Sequence, residues 1–144
     1  MPGILIVDDN TDILEVMELL LSTRGFTVRT ITRCEETLEK IKSFKPDVIL
    51  LDVSLEYGID VRNICKKLKE DKNLKHIPII LFSALTGFEY YSQYCKADDF
   101  IQKPFDVLEL ISVINKHLKP VSFVRPNATI QEQINNQFPI TVVN

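Results

Sequence analysis

The sequence predicts an α/β fold: a five-stranded parallel sheet with helices packed on both of its faces. Three observations carry that prediction. Strand-like and helix-like segments alternate five times along the chain. The strand segments around Ile4–Val7, Val48–Leu51 and Ile77–Phe82 are apolar runs, the pattern of strands buried on both faces. Acidic or other polar residues stop each run where the chain must leave the core. Strand–helix–strand alternation implies right-handed crossovers, and hence parallel strands covered on both sides.

Gly3-Ile4-Leu5-Ile6-Val7 is the first such run, ended by Asp8 and Asp9. Asn10, Thr11 and Asp12 then offer N-cap side chains. Ile13, Val16, Met17, Leu20 and Leu21 recur at helical spacing, and Gly25 closes that segment as a C-cap. Phe26 to Ile31 alternates apolar and polar residues and reads as a more exposed edge strand. Leu38, Ile41 and Phe44 mark a second helix, stopped before Lys45-Pro46. Asp47-Val48-Ile49-Leu50-Leu51-Asp52 is the central strand, with Asp52 at its C-terminal exit.

A short loop leads to Gly58, and Val61, Ile64, Cys65 and Leu68 give a third amphipathic helix. Ile77 to Phe82 is the next strand, entered through Pro78 and left at Ser83. The segment from about Thr86 to Cys95 is read as a short fourth helix carrying Phe88, Tyr90, Tyr91 and Tyr94. Asp99-Phe100-Ile101 is a brief fifth strand, ended by Lys103-Pro104. Val107, Leu108, Ile111, Ile114 and Leu118 form a final helix that stops at Pro120. Beyond it no amphipathic period outlasts a turn. The division expected is a domain over 1–120 and a C-terminal tail over 121–144, extended or partly disordered.

At 144 residues, 45% of them hydrophobic and 26% charged, the chain has the composition of one globular domain. A net charge of −3 with scattered lysines leaves no electrostatic footprint for nucleic acid. Three cysteines, far apart and odd in number, show neither metal-ligand spacing nor a disulfide framework. No apolar run approaches the roughly 18 residues of a membrane span, so a cytoplasmic protein without membrane contact is expected.

In a parallel sheet all strands point the same way, so Asp8, Asp9, Asp52, Ser83 and Lys103 gather at one edge, where open α/β sheets do their chemistry. Three carboxylates about 5 Å apart repel by roughly 3 kcal/mol per pair at an effective dielectric near 20. Such a cluster is tolerable only with a cation or with raised pKa values. A small all-oxygen site suits Mg²⁺, which keeps several waters and bridges to phosphate oxygens. A carboxylate nucleophile, a divalent metal, a lysine and a hydroxyl are the parts needed to move a phosphoryl group onto Asp52.

Four stretches carry a resemblance: Ile4-Leu5-Ile6-Val7-Asp8-Asp9-Asn10, Asp47 to Asp52, Ser83-Ala84, and Ala97 to Phe105 around Lys103-Pro104. Together, in this order and spacing over about residues 1–119, they resemble the receiver domain of two-component response regulators. The resemblance implies a flavodoxin-like, doubly wound sheet in the order 2-1-3-4-5. It implies a signalling phosphoacceptor that catalyses only its own phosphorylation and dephosphorylation. Asp52 is then the residue phosphorylated by a histidine kinase or phosphotransfer protein. Asp8, Asp9, Asp52 and the backbone carbonyl of Ser54 hold Mg²⁺ (Mn²⁺ serving as a substitute). Lys103 contacts the phosphoryl oxygens, Ser83 and Phe100 are the switch residues, and the Lys103-Pro104 bond is cis. Without a tyrosine hydroxyl to satisfy, Phe100 is expected to be largely buried in either state.

The sequence departs from the family pattern in two loops. Glu56 replaces a proline after Asp52, and Gly58 comes two residues early. The stretch between Ser83 and Phe100 is about two residues short, with Lys96 where a small residue is common. The implied partners are a kinase or phosphotransfer protein, a downstream protein target, and a second copy through the face of the fourth helix, fifth strand and final helix. Two other functions compete. A metal-dependent phosphohydrolase working through an aspartyl-phosphate needs a second acid two residues after its nucleophile, where this chain has Ser54. A degenerate receiver that acts without phosphorylation is disfavoured by the complete set of pocket residues.

Overall fold

The computed structural model describes residues 1–53, 58–84 and 96–118, and of residues 34 and 58–60 the backbone alone. The elements follow in the order β1 (Gly3–Val7), α1 (Thr11–Ser22), β2 (Thr27–Ile31), α2 (Thr37–Phe44), β3 (Val48–Asp52), α3 (Gly58–Glu70), β4 (Ile79–Ser83), β5 (Asp99–Gln102) and α4 (Val107–His117). All strand pairs are parallel, and the sheet order is β2-β1-β3-β4-β5. The flavodoxin-like arrangement expected from the sequence is the one observed. The aromatic segment at 85–95, Ser54 and the tail lie outside the described residues.

The period of two along a strand sorts the core into two layers. Ile4, Ile6, Leu50, Ile80, Phe82 and Ile101 face α1 and α4, where Leu14, Met17, Leu21, Leu110 and Ile114 meet them. Leu5, Val7, Ile49, Leu51, Ile79 and Leu81 face α2 and α3, against Ile41, Val61, Ile64, Cys65 and Leu68. β1, β3 and β4 are buried along their whole length. Their sequences therefore show no alternation, because neither face meets water.

Local chemistry sets the helix ends. Asn10 caps α1, its side-chain oxygen accepting from the backbone N–H of Asp12 at 3.0 Å and of Ile13 at 3.2 Å. Asp106 does the same for α4 through the N–H of Glu109, at 2.7 Å. A turn of 3₁₀ helix at Cys34–Glu36 leads into α2. That helix ends on Lys45 in the left-handed region, with φ 52, rather than on a glycine.

Gly25 turns the chain from α1 into β2 with φ +90, and nothing lies within 4 Å of where a Cβ would sit. Gly25→Ala therefore meets only the backbone penalty of a left-handed residue, about 1–2 kcal/mol. A urea titration should show the midpoint lowered with the slope unchanged.

Several expectations from periodicity are corrected. In α1 the buried stripe is Leu14, Met17 and Leu21, while Val16 is exposed. Leu108 in α4 is likewise exposed, the inward positions being Leu110 and Ile114. Both helices carry more apolar residues than one face can hold, so the three-dimensional contact chooses among them. Strand β4 begins at Ile79, two residues later than the apolar run, because Ile77 is still tied by its N–H to the Leu74 carbonyl at 3.0 Å and Pro78 has no N–H.

Phe100 is the main correction. It is 42% exposed, not buried. Strand β5 is an edge strand, and α4 covers only the face that carries Ile101, so the alternate residues Phe100 and Gln102 point away from that layer.

Candidate functional site

The strand exits converge as parallel topology requires. Two residues beyond Ile6, Leu50 and Ile101, on the same face by strand alternation, come Asp8, Asp52 and Lys103. Asp8 and Asp52 are 1% and 5% exposed. Lys103 Nζ lies 2.9 Å from Asp8 Oδ2 and 3.5 Å from Asp52 Oδ1. The other oxygen of Asp8 accepts from the backbone N–H of Asn10 at 2.9 Å, which fixes the carboxylate from both sides. The backbone holds the lysine in place too: its N–H donates to the Ser83 carbonyl at 2.9 Å, and the Lys103-Pro104 bond is cis as expected.

Asp9 completes an acidic trio. One oxygen from each of Asp8, Asp9 and Asp52 can be chosen so that all three lie within 4.8 Å of one another. Such an oxygen-only set, open to solvent through the exposed Asp9, fits a hard divalent cation that retains water ligands. Burial, with the charge of Asp8 behind it, pushes the Asp52 carboxyl up to about 6; the nearby Lys103 ammonium pulls the other way without overcoming them, and Asp9 adds to the rise.

Ser83 is buried at the end of β4, its hydroxyl donating to the Val53 carbonyl, one residue past Asp52. It stands one residue past Phe82 and so leaves the sheet on the α2–α3 side, while the acids and Lys103 leave on the α1–α4 side. The Lys103 ammonium also lies 4.7 Å from the centre of the Phe82 ring. From the sequence Phe82 reads as core alone, and this contact is not apparent there. The available signal was its place directly before Ser83, in a strand whose alternate residues end at the site.

Asp98 and Asp99 serve the opposite end of the sheet, at the start of β5. Asp98 accepts from the Ile79 N–H at 2.8 Å and from Lys69 at 3.1 Å. Asp99 lies 2.9 Å from His117 Nε2 and 3.4 Å from Lys116 Nζ. Partial burial works to raise the Asp99 carboxyl, but the hydrogen bonds from His117, the Phe100 N–H and Lys116 outweigh it and hold the group below its ordinary range. Among the described residues, no helix is long and apolar enough to cross a membrane.

Known proteins resemble this chain in sequence and in fold. RpaA of Synechocystis, described as a DNA-binding dual master transcriptional regulator, is 30% identical over 99% of this chain, which spans 59% of its length. The response regulator PleD of Caulobacter vibrioides is 35% identical over 76% of this chain and is spanned over 24% of its length. The chain thus covers less than two thirds of either relative. Among solved structures, a response regulator of Chloroflexus aurantiacus superposes with a TM-score of 0.73 at 32% identity, covering 81% of this chain and 98% of that one. TrrA of Thermotoga maritima, solved in complex with Mg²⁺ and BeF, gives 0.71 at 30% identity, covering 82% and 100%. The sequence profile of the response regulator receiver domain matches residues 4–115, and with the acids and the lysine gathered at its strand exits, the chain belongs to that family.

Proposed function

We propose that this chain is the phosphoacceptor of a two-component phosphorelay. Asp52 receives a phosphoryl group from a histidine kinase or phosphotransfer protein, and the change is read by a downstream protein. The observation that carries this reading is the convergence of the Lys103 ammonium on Asp8 and Asp52, at 2.9 and 3.5 Å, beside a third carboxylate.

The reaction is an in-line displacement at phosphorus. An Asp52 carboxylate oxygen forms the new P–O bond, and the bond to the leaving imidazole nitrogen or acyl oxygen breaks, its electron pair departing with the leaving group. Asp52 must be ionised to attack, and at about pH 7 most of it is, its pKa being about 6. Lys103 faces the attacked position and offsets the charge spread over the phosphoryl oxygens. Asp8, Asp9 and Asp52, with the Ser54 carbonyl implied by the family resemblance, would hold Mg²⁺. That ion would supply further charge neutralisation and help to orient the phosphoryl group. Ser83, which donates to the Val53 carbonyl here, would exchange that partner for a phosphoryl oxygen, the switch role that the family resemblance implies. The surface altered by the switch is that of β5 and α4, where Phe100 and Leu108 lie exposed and could meet a second copy or a target.

Acetyl phosphate tests the reading without a cognate kinase. Incubated with it and Mg²⁺, the protein should gain one phosphoryl group by intact mass, and omission of Mg²⁺ or the change Asp52→Asn should prevent the gain. Unimpaired labelling of the Asp52→Asn protein would remove Asp52 from the role.

A further inference from the structure

Lys103 has a third neighbour besides the two acids. Its Nζ stands 4.7 Å from the centroid of Phe82, within the range in which a ring face attracts a cation. The ring is 1% exposed and the lysine side chain 18%, so the contact is largely shielded from water, where such attraction is strongest. Phe82 is the register partner of Asp52 on the neighbouring strand, which sets the ring beside the nucleophile. Phe105, two residues past Lys103, meets Phe82 at 6.4 Å and 84°, edge to face, and fixes the tilt of the ring.

We propose that Phe82 is a positioning residue for phosphoryl transfer to Asp52, its ring face holding the Lys103 ammonium where the phosphoryl oxygens will come. The proposal rests on the phosphoacceptor reading and adds a part to it. An ammonium facing two carboxylates with nothing behind it is drawn onto both, where it neutralises the nucleophile. The electron-rich face of Phe82 gives it a third point of attraction, 4.7 Å away, that is not a carboxylate. It remains bonded to Asp8 at 2.9 Å but stands off at 3.5 Å from Asp52, leaving the attacking oxygen less encumbered. Phe105 acts one step further out, by orienting the ring.

Fluorination of the ring at position 82 alone separates its electrostatics from its shape. Mono-, di- and trifluorophenylalanine drain the ring face progressively and change its volume little. Each full-length protein is phosphorylated with acetyl phosphate and Mg²⁺, and the maximal rate, the half-saturating acetyl phosphate concentration and the Mg²⁺ affinity are measured. The maximal rate should fall stepwise with fluorine count, to a loss of roughly tenfold at three fluorines, with half-saturation and Mg²⁺ affinity little changed. The ε-methylene protons of Lys103 should resonate upfield in the unmodified protein and move downfield in Phe82→Leu. A rate independent of fluorine count, in proteins that are still phosphorylated on Asp52, overturns the role of Phe82 and leaves the phosphoacceptor reading standing. Failure of the unmodified protein to be phosphorylated overturns that reading, and this role with it.

Discussion

Lys103→Met should slow phosphorylation of Asp52 by acetyl phosphate about 10²- to 10³-fold while tightening the binding of Mg²⁺. On the proposed function the two effects run in opposite directions, because the ammonium would do two things. In the transition state it faces the charge that develops on the phosphoryl oxygens, and removing one such preorganised donor typically costs this much in rate. In the resting site it competes with a divalent cation for the same carboxylates, lying 2.9 Å from Asp8 and 3.5 Å from Asp52. Methionine keeps the length and apolar stem of the side chain, so packing near Phe82 changes little. Single-turnover labelling and a Mg²⁺ titration by intrinsic fluorescence or calorimetry check the two arms separately. A variant that loses rate and Mg²⁺ affinity together would point to collapse of the site instead.

The second large effect is on stability in the absence of metal. The folded-state pKa of Asp52 is about 6 against an ordinary value of 3.8. Because this pKa is raised, the native state binds more protons than the unfolded chain between those values. Stability therefore falls as pH rises through the window, and the penalty is complete above the folded pKa. A shift of this size corresponds to about 2–3 kcal/mol at pH 7. In EDTA, Asp52→Asn should accordingly raise the melting temperature by several degrees at pH 7 and by much less near pH 4, where the wild-type carboxyl is largely protonated in the native state. Saturating Mg²⁺ should narrow the difference at pH 7, since a cation relieves the same repulsion. Equal stabilisation at both pH values would place its source in something other than the buried charge.

The acids of the proposed site also bear on stability. Asp8 is buried with both oxygens engaged, and Asp52 is buried beside it with its pKa displaced upward. Replacing buried charged groups of this kind by apolar ones of similar volume is often neutral or stabilising. Charge concentrated at the C-terminal edge of a sheet is the placement that the proposed function calls for.

Much of this protein was determined by its sequence alone. Three uninterrupted apolar strands required a sheet covered on both faces, and parallel strands required their exits, Asp8, Asp52 and Lys103, to meet at one edge. Those consequences follow from chain connectivity and the alternation of side chains, so they need no knowledge of packing. Tertiary structure decided the rest. Val16 and Leu108 belong to apolar stripes in the sequence yet face solvent, because each helix offers more apolar residues than its contact with the sheet can bury. Phe100 is exposed because it lies at the sheet's edge on the face that α4 does not cover, and strand order, not composition, puts it there. The ring of Phe82 came to lie beside Lys103 through the pairing of β3 with β4 and of β4 with β5, contacts between residues far apart in the chain that no local pattern records.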